Sequence, residues 1–220
     1  MRLARGASFI LSGLMLLTSG CAPAGPSRGG AALAPTAIGV LFQDSFSDPS
    51  SGWDRRRDRE MIADYDSGGY RIVVTAENSG AWGTSGRKFA DAIVEVEATK
   101  VGGPDDNNFG ILCRYRDESN YYQLTISSDG HYAIGKVVAG DVALIGADKV
   151  QPSDAIQRGK ATNRLRVVCA GDTLSLTVNG ELLTTAEDDT FDSGDIGLIA
   201  GTYAKTGTDI LFDNLVVKKP

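Results

Sequence analysis

From residue 40 to residue 218 the chain alternates apolar and polar side chains in short runs, with Gly, Asn and Asp between them. A period of two marks a strand with one face in a core and the other in water. The pattern predicts strands at 40–46, 70–75, 92–101, 109–116, 121–127, 132–138, 142–145, 164–170, 173–178, 182–185, 195–201 and 209–218. Three pairs stand where two-residue hairpin turns require positive φ: Asp129-Gly130, Gly171-Asp172 and Asn179-Gly180. No run of ten residues carries a helical apolar stripe, and the best short helix is 153–157 after Pro152. The stretches 47–69 and 146–163 read as irregular. About twelve short strands in one domain predict an all-β sandwich or barrel.

The first 38 residues follow another logic. Residues 1–20 run from a basic start (Arg2, Arg5) through an apolar segment at 9–17 to Thr18-Ser19-Gly20, as a secretory signal does. The apolar segment is too short to span a bilayer. With Cys21 the motif resembles the lipobox of bacterial lipoproteins, although Thr18 stands where leucine is commoner. That resemblance implies lipidation at Cys21 and an exported protein anchored at the cell membrane or outer surface. Cleavage nearby by the ordinary signal peptidase is the alternative. Residues 21–38 are small residues, Gly and Pro, which bury too little surface to offset their ordering entropy, so they read as a tether. The globular domain is then 39–220.

The formal charge is −6, from 22 basic against 28 acidic side chains, and this argues against a nucleic-acid partner. Loss of residues 1–20 removes two arginines and no acid, leaving −8. A single histidine, His131, excludes a zinc site with several imidazoles. Cys113 and Cys169 both fall on the apolar parity of their strands, so both sulfurs point inward. In an exported protein this suits one disulfide, with two buried thiols as the alternative.

The order of motifs resembles the concanavalin A-like jelly roll of lectins, glucanases and laminin-G-like domains. It runs from Asp44-Ser-Phe-Ser-Asp48-Pro and Gly52-Trp53 through Asn108-Phe-Gly-Ile111, Arg114-Tyr115 and Asn120-Tyr-Tyr122. It continues through Asn163–Val167, Leu176–Gly180, Gly194–Leu198 and Phe212–Val216. The chain is also similar to 3-keto-disaccharide hydrolase-like domains. The resemblance implies a two-sheet antiparallel jelly-roll sandwich, one sheet concave, with the first and last strands adjacent.

Retaining glucanases of this fold carry two carboxylates on one strand as Glu-x-Asp-x-x-Glu. Here Glu95-Val-Glu97-Ala-Thr-Lys100 lacks the aspartate and the second glutamate, so Glu95 and Glu97 read as a solvated face and no catalytic residue is assigned. The expected function is a non-catalytic binding module for a carbohydrate or other extracellular ligand, bound on the concave sheet. Trp82, Arg114, Arg116, Tyr122 and His131 are its candidate contacts, because glycan sites pair aromatic rings with polar groups. The alternatives are a hydrolase of the 3-keto-disaccharide group and a structural or sensory domain binding an envelope protein. Jelly-roll relatives often hold calcium near the paired termini, which makes Asp44, Asp48 and Asp213 metal candidates, with Asp105-Asp106-Asn107-Asn108 a second acidic cluster. The arginine-rich segment 54–60 reads as a self-neutralising loop.

Overall fold

A computed structural model describes residues 39–220. The expected signal at 1–20, the lipobox-like Cys21 and the expected tether to residue 38 lie outside the described residues. The strands are β1 (Val40–Asp44), β2 (Arg56–Arg57), β3 (Met61–Asp66), β4 (Gly69–Val74), β5 (Gly80–Phe89), β6 (Ala92–Gly102), β7 (Asn107–Asp117) and β8 (Asn120–Ile126). They continue with β9 (His131–Val138), β10 (Asp141–Leu144), β11 (Gln151–Pro152), β12 (Thr162–Ala170), β13 (Thr173–Val178), β14 (Glu181–Glu187), β15 (Gly194–Thr202) and β16 (Thr208–Lys218).

All pairings are antiparallel and form two sheets of a jelly-roll sandwich. The nine-stranded sheet runs β14-β13-β12-β6-β16-β4-β3-β2, with β1 also on β16. The seven-stranded sheet runs β10-β9-β8-β7-β15-β5, with β11 on β9. The first and last strands are thus neighbours, Val40 opposite Lys218. Alternating apolar residues such as Val94, Val96, Ile111, Leu124, Val167, Leu176, Leu198 and Phe212 fill the space between the sheets. Cys113 of β7 and Cys169 of β12 join across it as a disulfide.

The sequence pattern missed β5, and also β2, β3 and β11, which fall within the stretches read as irregular. Strand β3 is only half-buried and closes onto β4 through Ser67-Gly68, both at positive φ. Strand β5 is rich in small residues, and packing supplies the reason. A Cβ on Gly83 would stand 1.8 Å from the Tyr70 hydroxyl, which crosses the interior to donate to the Asp54 carbonyl. The expected helix at 153–157 is absent; the segment is turn and coil. Asn163 takes over its polar bonding, donating to the Gln157 carbonyl and accepting from the Gln157 N–H.

One polar cluster is built into the core edge. The Tyr122 hydroxyl donates to Asp188 at 2.6 Å, and Lys136 and the Thr190 N–H reach the same carboxylate. Burial would push the Asp188 carboxyl up, but the bonds from Lys136, Thr190 and Tyr122 outweigh it and hold it below the carboxylate range. Burial, then Asp188, pushes the Tyr122 phenol up to about 12. A carboxyl depressed in the folded state stabilises above its unfolded value, near pH 4, and that contribution is lost as pH falls below it. Urea midpoints measured from pH 7 to pH 3 should therefore fall less steeply for Asp188→Asn than for wild type. Equal slopes would remove this role.

Candidate functional site

The outer face of the seven-stranded sheet can be read row by row from its register. One row is Trp82, Ile199, Gly110, Thr125 and Ala133, from β5 to β9. The next is Gly197, Leu112, Gln123, Gly135 and Leu144, from β15 to β10. Tyr121 and Val137 follow towards one end, and Asn108 opposite Gly201 lies at the other. Glycines and an alanine make much of this floor, so side chains at its ends decide what it can hold.

The Trp82 end is filled by the protein itself. Leu112 points outward yet is fully buried, because Tyr121, Trp82 and Tyr115 close over it with Ile199 and Val137. The Tyr115 and Tyr121 rings stack with centroids 5.7 Å apart. Trp82 Nε1 donates to the Tyr115 hydroxyl at 3.2 Å. This is a small second core whose polar atoms already serve one another.

The opposite end is open. A cavity of about 210 Å³ lies among Asp106, Asn108, Thr125, Asp129, His131 and Tyr203. Tyr203 is 42% exposed, whereas Thr125 is only 7% exposed. The Asn108 amide lies over the β15 backbone, 2.2 Å from where a Gly201 Cβ would stand. Asp129 receives the Ser127 hydroxyl and lies 2.9 Å from His131 Nδ1. That contact orients the imidazole and leaves Nε2 free. Burial would push the Asp129 carboxyl up, but His131 and Ser127 outweigh it and hold it low. Burial, and then the carboxylates of Asp106 and Asp129, raise the Tyr203 phenol. Among the described residues, the Asn108 amide, the Thr125 hydroxyl, His131 Nε2, the Tyr203 hydroxyl and the Asp106 carboxylate have no side-chain hydrogen bond in the protein. These polar atoms face solvent in the cavity, and a ligand bound there can supply their partners.

Of the predicted contacts, His131 lines this cavity and Trp82 lies in the aromatic cap. Arg114 and Tyr122 do not face outward. Between Cys113 and Asp117 the register of β7 slips, and Arg114 adopts a φ of 51°. A bulge reverses side-chain parity. Arg114 is therefore buried, donating to the carbonyls of Phe191 (2.7 Å) and Ala90 (3.1 Å), while Tyr115 joins the outer face. Tyr122 is fully buried and shares its parity with Leu124 and Ile126; Tyr121 takes the outer position. Arg116 is exposed, pairs with Asp192 at 2.8 Å and lies over the Phe191 ring.

The calcium candidates are not brought together. Asp44 accepts from the Phe46 N–H, the Ser51 hydroxyl and Trp53 Nε1. Asp48 accepts from Ser50, and Asp213 from the Asn214 N–H. Among the described residues no three His, Cys, Asp or Glu side chains converge as metal ligands. Glu95 and Glu97 lie on the outer face of the other sheet, paired with Lys218 at 2.6 Å and Arg164 at 2.7 Å. Within 54–60, Arg56 pairs with Asp58, but Arg55 and Arg57 converge on Asp64 of β3. Tyr203, Asp106 and Thr125 were missed as contacts. The alternation of Gln123 and Thr125 opposite Leu124 and Ile126 could have placed Thr125, whereas Tyr203 sits on a loop with no periodicity.

A carbohydrate binding module from Bacillus subtilis shares the fold, with 18% identity and a TM-score of 0.60 over 77% of this chain and 96% of that one. A protein with galectin-like fold from the same organism aligns over 82% and 96%, with 12% identity and a TM-score of 0.59. A xylan beta-1,4-xylosidase from Bacillus halodurans C-125 matches through 39% of its own length and 80% of this chain, with 15% identity and a TM-score of 0.58. No curated protein sequence matches. Residues 41–218 match the sequence model of the 3-keto-alpha-glucoside-1,2-lyase-like domain. That match spans most of the chain, which therefore belongs to the 3-keto-alpha-glucoside-1,2-lyase-like domain family.

Proposed function

We propose that residues 39–220 are a non-catalytic glycan-binding module, presented outside the cell on a tether and a lipid at Cys21. The carrying observation is the set of unpartnered polar groups around the exposed Tyr203 ring. A sugar offers C–H faces to an aromatic ring and hydroxyls to amides, carboxylates and imidazole, and the cavity supplies both. The fold shared with a carbohydrate binding module supports this reading. The signal-like residues 1–20 and the lipobox-like Cys21 support export and anchoring.

The paired His131 and Asp129 favour a second reading, in which the domain acts on a 3-keto glycoside. His131 Nε2 would take the proton from the carbon beside the ketone. The carbon–carbon double bond forms as the neighbouring glycosidic C–O bond breaks, and water returns a proton to the departing oxygen. A base held at Nδ1 by a carboxylate and free at Nε2 suits that step.

One set of proteins tests both readings. Titration calorimetry against a glycan panel should show binding that Tyr203→Ala weakens by about tenfold or more, with Trp82→Phe close to wild type. Equal affinity of wild type and Tyr203→Ala would rule out this cavity. Turnover of a 3-keto-glucoside that is lost in His131→Asn would establish the second reading.

A further inference from the structure

The charge of the cavity goes a step beyond glycan binding and rests on that reading. Its lining holds two carboxylates, Asp106 and Asp129, and no lysine or arginine. Arg158 reaches the adjacent Gly130 but lies beside Asp154 (3.5 Å) and does not line the cavity. Asp129 gives one oxygen to Ser127 and His131, and its other oxygen makes no side-chain hydrogen bond among the described residues. Thr125, a residue more than nine-tenths buried whose hydroxyl makes no side-chain hydrogen bond among the described residues, lines the same space. The domain adds a field of the same sign. All 28 acidic side chains but only 19 of the 22 basic ones fall in residues 39–220, a net of −9.

We propose that this cavity selects glycans carrying a protonated amine, such as a hexosamine unit, over neutral sugars, and rejects uronic and sulfated ones. An ammonium group there meets the face of Tyr203 and two carboxylates, and each of the three interactions is attractive. The Thr125 hydroxyl and Asn108 amide remain for the sugar's own hydroxyls. An anionic sugar would have to shed water beside two like charges with no cation to receive it.

Calorimetry at mildly acidic pH, where the amines of a glucosamine oligomer are protonated, tests this with three probes: a β-1,4-glucosamine oligosaccharide, its fully N-acetylated counterpart and an oligogalacturonate. The amine-bearing oligomer should bind about tenfold tighter than the acetylated one, with no measurable binding of the uronate. Asp106→Asn should remove most of that preference. Glu95→Gln, the same charge change on the outer face of the other sheet, should leave it intact. Equal affinities for the first two probes would overturn the proposal. So would equal losses in the two variants, because the preference would then come from overall charge. In either case, binding of the acetylated oligomer would keep the glycan reading alive; failure of every sugar tested would overturn both.

Discussion

Replacing both Cys113 and Cys169 with alanine should cost this domain about 4 kcal/mol of stability and lower its melting temperature by roughly 10 °C. The bridge closes a loop of 56 residues in sequence separation, running from β7 through β8, β9, β10 and β11 to β12. In the chain-entropy account the benefit grows with the logarithm of that length, because the open loop has more conformations to lose. The position adds to the effect. Both sulfurs lie in the core, where they tie one sheet to the other rather than two strands of one sheet. The measurement is paired urea titrations of the native and dithiothreitol-treated protein, checked by intact mass. Coincident midpoints, with mass showing complete reduction, would refute the claim.

Arg114→Met should cost about 3 kcal/mol, although the residue is charged and was expected at the surface. Its side chain is 2% exposed and serves three segments. It donates to Ala90 in the β5–β6 turn, to Phe191 in the segment before β15, and towards Asp91. The same Asp91 carboxylate accepts the Gly171 N–H of the β12–β13 turn at 2.9 Å. Methionine fills much of the volume but leaves two carbonyls without their charged donor. Lysine is no substitute, since one ammonium group cannot span the fork geometry. Hydrogen exchange should quicken at residues 88–92 and 188–193 in the variant, and a stability within 0.5 kcal/mol of wild type would refute the account. Because Arg114 adjoins Cys113, the two losses should not add.

What was legible in the sequence follows from how local each signal is. Strict alternation placed β6, β12 and β13, and the Asn179-Gly180 turn between Val178 and Glu181. The inward parity of Cys113 and Cys169 was legible for the same reason. Strand β5 was not, because its Gly83 is small for the sake of Tyr70, a residue thirteen places earlier. Nor was the bulge at Arg114, which reverses parity through backbone geometry that no side-chain pattern records. At the candidate site, His131 was found by type alone. The cavity around it is assembled from β7, β8, β9 and the Tyr203 loop, a grouping set by strand order rather than by sequence distance.

The pairing of β1 with β16 has a practical consequence. The Lys219 N–H donates to the Gly39 carbonyl at 2.7 Å, so the described domain begins and ends at one spot on the nine-stranded layer. The cavity opens on the outward side of the other layer. A bead, a fluorophore or a reporter joined at residue 39 or residue 220 is therefore attached to the layer that does not carry the cavity.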